Sequence, residues 1–128
     1  MKTRLFLSVL TCLASTALFA ADSPPVGSTA PDFSLSDSKG KTHSISQYKG
    51  KYVVLEWFNP ECPFVKKHYG SGNMQKLQEE FTAKGVVWLS IDSSAPGQQG
   101  HLTAEQANAK MTGWGTSKFT NQFAVYVA

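Results

Sequence analysis

The chain has 128 residues, 41% hydrophobic and 12% aromatic, with 10 Gly, 6 Pro and 2 Cys. That is enough for one ordinary domain and too few for two, and it excludes general disorder and collagen-like or low-complexity classes. The net charge is +3, but Lys2 and Arg4 fall in a segment that reads as removed, leaving ten basic against nine acidic residues; Arg4 is the single arginine, so nucleic acid is not expected as a partner.

Residues 1–20 read as a secretory signal peptide. A basic start (Lys2, Arg4) leads into an apolar stretch, Leu5 to Leu18, that ends Ala17-Leu18-Phe19-Ala20 before Ala21-Asp22. The run is short for a bilayer span and small residues flank the cut, placed after Ala20 or Ala21. The remaining domain, 21–128, is expected to be exported to the bacterial periplasm or the extracellular space, with no stable membrane insertion after cleavage. Cys12 leaves with the signal, because Leu10 and Thr11 fit poorly before a lipidated cysteine. Cys62 then stands alone in an oxidising compartment and cannot be half of an internal disulfide. It is reactive, paired between molecules, or buried and inert.

Asp22 to Ala30 is rich in Pro, Gly and Ser and predicts an extended lead-in. Phe33-Ser34-Leu35, the turn Ser38-Lys39-Gly40-Lys41 and Thr42 to Ser46 predict a small hairpin. Ser46 to Gly50 predicts one helical turn. Tyr52 to Phe58 is nearly continuous apolar and β-favouring, which predicts a strand buried on both faces, as in a parallel sheet covered by helices. Pro60 breaks it. Pro63 suits the first position of a helix, where its missing N–H costs nothing, and this helix runs to about Tyr69 before Gly70-Ser71-Gly72. Asn73 is placed as the cap of a second stretch in which Met74, Leu77 and Phe81 form one apolar stripe. Val86 to Ile91 is a second buried strand, completing a βαβ unit. After a loop from Ser93 to Gly100, Thr103-Ala104-Glu105-Gln106 opens a capping box, with Ala104, Ala107 and Met111 facing inward. Phe123 to Val127 is one short strand. Trp57, Trp88 and Phe81 are assigned to the core, and His43 and His101 to the solvated surface.

The chemistry centres on Cys62, where a buried strand ends and a helix begins. Helix-start N–H groups and the helix dipole favour an anion there, which inclines a thiol toward thiolate. Lys66, at i+4, adds positive charge on the same side, and Glu61 opposes it. The alternative is a thiol packed as a small hydrophobe. His68 does not share a helix face with Cys62, and a Cys–His pair is too small a set to hold a metal. No metal and no cofactor are expected. Gly113 to Lys118 lacks phosphate-loop spacing.

Pro31-Asp32-Phe33-Ser34-Leu35, then Tyr52 to Phe58, then Asn59-Pro60-Glu61-Cys62-Pro63-Phe64-Val65 resemble the AhpC/TSA branch of the thioredoxin superfamily. More narrowly, they are similar to the peroxiredoxin-like redoxin-domain proteins with one cysteine in a Cys-Pro-Phe-Val motif. The resemblance covers residues 26 to about 115 and implies an α/β, thioredoxin-like fold. It matches Cys62 to the attacking cysteine of a Cys-x-x-Cys pair, with Val65 at the resolving position and Pro60 and Pro63 shaping the site. Glu56 falls where thioredoxins keep a buried acid, which implies a proton relay to the sulfur; its alternative is an ion pair with a lysine at the sheet margin. The peroxidatic Pro-x-x-x-Thr-x-x-Cys run is absent. Ending it at Cys62 would need Pro at Leu55 and Thr at Asn59, and ending it at position 65 meets Val65. The peroxide-directing arginine has no candidate either.

The resemblance also implies a cis-Pro loop, a closing strand pair and a last helix. No Pro follows Pro96 and the residues after Thr112 are too few for these elements, so the sequence reads as a member truncated at the C-terminus. Its exposed sheet edge invites dimerisation. The expected function is that of a thiol oxidoreductase, of thiol–disulfide exchange or antioxidant type, acting through Cys62, Glu56 and Lys66 with an external thiol or disulfide protein as redox partner. The alternative is a non-catalytic binding module. A copper-chaperone role would need more than one thiol.

Overall fold

The computed structural model describes residues 23–116. The signal segment, the strand expected at Phe123 to Val127 and the tail lie outside the described residues. Residues 23–30 belong to a different compact unit from the residues that follow Ala30, and are exposed and turned rather than simply extended: the N–H and Oγ of Ser28 both donate to the Pro25 carbonyl, at 3.0 and 2.7 Å.

From Pro31 on, the predicted elements form in the predicted order. The hairpin pairs β1 (Ser34–Ser36) with β2 (Thr42–Ser44), antiparallel, Leu35 opposite His43. Asp37 builds its turn, Oδ1 accepting from the N–H groups of Lys39 and Lys41, both at 2.8 Å. A 3-10 turn, Ile45–Tyr48, follows. Then come β3 (Val53–Trp57), α1 (Pro63–Gly70), α2 (Asn73–Ala83), β4 (Val87–Ile91) and α3 (Ala104–Gly113).

β3 and β4 are parallel, with Val54 opposite Trp88 and Glu56 opposite Ser90. Side chains alternate across a strand, so one face carries Val54, Glu56, Trp88 and Ser90. Phe58, just past the end of β3, joins this core, against which the helices pack Tyr69, Ala107 and Met111, with Val65, Met74, Leu77, Leu102 and Trp114 around them. The Tyr69 and Trp114 rings stack at 4.4 Å, and Phe58 meets both edge-on. On the opposite face Val87, Leu89 and Ile91 pack with Phe33, Tyr48 and Val53.

Several expectations are corrected. β4 is buried throughout, but β3 is not buried on both faces: Leu55 is 39% and Trp57 67% exposed. The hairpin side reaches only Val53, and among the described residues β3 has a strand partner on one edge alone. Trp57 therefore leaves the core and donates from Nε1 to Ser93 Oγ at 3.0 Å, while Trp88 stays in it. Phe81 is also exposed, at the end of α2 under the Lys84 ammonium. Asn73 is the first residue of α2, not its cap. The cap is Gly72, at φ 74°, a left-handed conformation that costs glycine nothing and lets the chain re-aim between α1 and α2. Ala104 is exposed because it precedes the turn of α3 that packs, whereas Ala107 and Met111 are buried. The Thr103–Gln106 capping box forms as expected and contributes about 1 kcal/mol.

His43 is not a surface residue. It is 1% exposed on the inner side of β2, its Nε2 meeting Asp37 Oδ2 at 2.8 Å and its Nδ1 the Tyr48 hydroxyl at 2.5 Å. His101 is half-buried, bonded through Nδ1 to the Ser94 carbonyl. Burial by itself would raise the Asp37 carboxyl, but His43 and the two turn N–H groups hold it below its ordinary value of 3.8. A carboxyl lowered on folding adds stability that is present above its unfolded value and lost as pH falls through the folded one. We expect Asp37→Asn to lower the denaturant midpoint at neutral pH. The gap from the wild type should close as the pH drops below about 4; a gap that persists in acid would show that the charge is not what stabilises the turn.

Candidate functional site

Cys62 sits at the C-terminal end of β3 and caps α1, with extended backbone angles (φ −62°, ψ 127°) and half-buried. Pro63 takes the first helical position and Lys66 N–H closes the first helical bond onto the Cys62 carbonyl at 2.9 Å. The earlier N–H groups of a helix have no partner within it, so those of Phe64 and Val65 open the helix next to the thiol. Cys62 makes no side-chain capping bond. Pro60 is buried and stiffens the loop below it; Val65 is half-buried and packs on the helix-side core. Lys66 is exposed, with its ammonium in no ion pair among the described residues.

Asn59 holds the loop in place. Its Oδ1 accepts from the N–H of Glu61 at 2.8 Å and of Cys62 at 3.2 Å, and Cys62 N–H also reaches the Asn59 carbonyl at 3.1 Å. Its Nδ2 donates to the Gln99 carbonyl at 3.4 Å.

Among the described residues Glu56 makes no lysine pair. Four neutral donors converge on it: Tyr69 Oη to Oε1 at 2.7 Å, and Trp88 Nε1, Ser90 Oγ and Gln78 Nε2 to Oε2 at 2.7, 3.0 and 3.2 Å. This is the arrangement that an acceptor-only carboxylate fills. Tyr69 also accepts from Gln78 Nε2 at 3.0 Å. Burial first, then the Glu56 charge and hydrogen bond, push the Tyr69 hydroxyl well above its ordinary value. The Cys62 sulfur is not among Glu56's partners, so the structure joins Glu56 to α1 through Tyr69 rather than directly to the thiol. His68, exposed near the end of α1, bonds Asn73 and takes no part.

Sequence reasoning did not find Asn59, Gly100, Tyr69, Gln78 or Ser90. An Asn shortly before unpaired N–H groups is a recognisable side-chain turn signal, and the parallel register would have set Ser90 opposite Glu56. Gly100 carries no local signal, since its neighbour is 41 positions away.

The model of the AhpC/TSA family matches residues 26–125. The thiol-disulfide oxidoreductase ResA of Geobacillus kaustophilus (strain HTA426) is 37% identical over 71 residues, which is 56% of this chain and 40% of that protein. Among solved structures, the hypothetical protein SMc02350 from Sinorhizobium meliloti 1021 is similar with a TM-score of 0.65 at 20% identity, over 81% of this chain and 55% of that one. The thioredoxin domain of thiol-disulfide oxidoreductase BVU-2223 from Bacteroides vulgatus gives 0.57 at 20% identity, over 80% and 65%. The fold is thioredoxin-like. The chain spans about half the length of the curated relatives it matches.

Proposed function

Because the chain belongs to the AhpC/TSA family, we propose that it is an exported thiol–disulfide oxidoreductase that works through one cysteine, Cys62. The observation that carries this reading is the half-buried sulfur at the start of α1, beside N–H groups with no helical partner. In the reaction, the Cys62 thiolate attacks one sulfur of a disulfide R–S–S–R′. A Cys62–S–S–R bond forms, the R–S–S–R′ bond breaks, and R′S⁻ leaves and takes a proton. An external thiolate R″S⁻ then attacks the Cys62–S–S–R bond, giving R–S–S–R″ and regenerating Cys62. One disulfide and one thiol are consumed and one of each is formed, so the exchange is redox-neutral overall, and the protein is unchanged. Glu56, through Tyr69, is the candidate proton relay, and Lys66 tunes the charge beside the sulfur. The partner is a thiol or disulfide protein; residues 1–20 support export, and the apolar Leu55 and Trp57 exposed on β3 support pairing between copies.

The test is reaction of the folded protein with an aromatic disulfide such as 5,5′-dithiobis(2-nitrobenzoate). One equivalent of aromatic thiolate should be released faster than from free cysteine at equal pH. The protein should gain the matching mass, and an added thiol should remove it. Cys62→Ser should abolish the reaction. A Cys62 that reacts no faster than free cysteine would sink the proposal.

Val65 in place of a resolving cysteine favours a second reading, a non-catalytic binding module. Under it, Cys62→Ser keeps every partner; under the first, it traps no disulfide-linked partner.

A further inference from the structure

We infer that Asn59 and Gly100 act together as positioning residues for Cys62: the Asn59 amide ties the Cys62 backbone to the 93–100 loop, and Gly100 is glycine because a side chain there would dislodge that amide. The inference rests on the reading of Cys62 as the attacking thiol and adds what aims it.

Three observations carry it. The Asn59 side chain spans two chain segments about forty residues apart, with Glu61 and Cys62 N–H on its oxygen and the Gln99 carbonyl on its nitrogen. A carboxamide is an uncharged planar group whose oxygen accepts while its nitrogen donates. Gly100 is buried against it, and a Cβ built there would lie 2.5 Å from Asn59 Cγ, Oδ1 and Nδ2, closer than real Cβ atoms approach. Gly100 also has φ +89°, so the loop that carries Gln99 adopts its path only with glycine at that position. The sulfur belongs to a residue whose N–H is held by this amide together with the Asn59 backbone carbonyl and whose carbonyl is fixed by Lys66 N–H. Its direction of attack is therefore set from both sides of one residue. Loss of the amide frees the N-terminal side alone, which loosens the aim without unfolding α1.

The test uses Asn59→Ala, Asn59→Ser, Gly100→Ala and the Ala/Ala double variant of the full chain, each with Cys12→Ser so that Cys62 is the one thiol. Two quantities are read: the rate of Cys62 with the aromatic disulfide, and hydrogen-exchange protection of the Glu61 and Cys62 amides. Asn59→Ala should lose the Glu61 protection, weaken that of Cys62, whose N–H keeps the Asn59 carbonyl, and slow the thiol about tenfold. Asn59→Ser, which restores an acceptor oxygen, should recover most of both. Gly100→Ala should resemble Asn59→Ala, and the double variant should be no slower than either single one, as expected of residues that act through one contact. Should Gly100→Ala fail to fold, the Ala and Ser variants at 59 decide. An Asn59→Ala protein that loses amide protection but reacts within twofold of the wild type would overturn the inference, as would effects of the two positions that multiply. If wild-type Cys62 is itself unreactive, the proposed function fails, while the exchange data still report whether the clamp exists.

Discussion

Glu56→Ala is expected to destabilise the domain more than any other single change at the site, by about 3 kcal/mol. The reason is the set of groups left behind. Trp88 Nε1, Gln78 Nε2, Ser90 Oγ and the Tyr69 hydroxyl all aim at one carboxylate. Ser90 and Gln78 are fully buried, and Trp88 and Tyr69 nearly so. Truncation to Ala removes four hydrogen bonds inside a water-poor layer; Gln78 Nε2 keeps the Tyr69 oxygen, but each buried bond lost costs about 1–3 kcal/mol before relaxation. For a domain of this size the melting temperature should fall by roughly 10–20 °C.

Glu56→Gln should be far milder, about 1 kcal/mol. Its amide oxygen can keep Trp88, Ser90 and Gln78 while its NH₂ turns to the Tyr69 oxygen, so one donor, the Tyr69 O–H, is displaced instead of four. That difference separates two roles. If Glu56 only organises the sheet and helices, Glu56→Gln should exchange thiols at the wild-type rate over the whole pH range. If it relays protons by way of Tyr69, the folded Gln variant should lose rate and show a flattened pH profile. Equal melting temperatures for the Ala and Gln variants would refute the network account.

The parts of this site that were legible in the sequence are those written into consecutive residues. Val53–Trp57 and Val87–Ile91 announce themselves as runs of β-favouring side chains, Gly70-Ser71-Gly72 as a helix break, Thr103-x-x-Gln106 as a capping box, and Cys62-Pro63 as a helix start. Each is a local free-energy preference, and the fold obeys it. What was not legible depends on pairings between distant segments. Trp57 reads as core until β3 is found with one face covered only at Val53. His43 reads as solvated until the turn brings Asp37, and the 3-10 turn brings Tyr48, to its two ring nitrogens. Glu56 was marked as the acid of the strand, but its partners come from two helices and a neighbouring strand, and their identity follows from register rather than from spacing. The Asn59–Gly100 contact is the extreme case, since a glycine's missing side chain leaves no pattern at all.

Val65→Cys should convert the protein from a reagent that waits for an external thiol into one that resolves its own mixed disulfide. Val65 is the third residue of α1 and Cys62 its cap, so the variant creates Cys-Pro-Phe-Cys across the first helical turn, the spacing at which dithiols of this kind close. The new sulfur replaces a half-buried Val whose neighbours are the helix-side core. The packing cost should be about 1 kcal/mol, small enough to leave the fold intact. In the wild type the Cys62–S–S–R adduct should persist until a thiol arrives from solution. In the variant the attacking thiol is tethered, and short tethers give effective concentrations near the millimolar range; against an external thiol at about 1 μM, resolution should be roughly a thousandfold faster. The measurement is mass spectrometry after one turnover with a disulfide substrate and no added thiol. Wild-type protein should carry the substrate's mass, whereas the variant should release both substrate halves as thiols and end two hydrogens lighter. A Val65→Cys protein that stays folded yet accumulates the mixed disulfide as the wild type does would show that the two positions cannot meet, and that Val65 is not what confines this chain to one-cysteine chemistry.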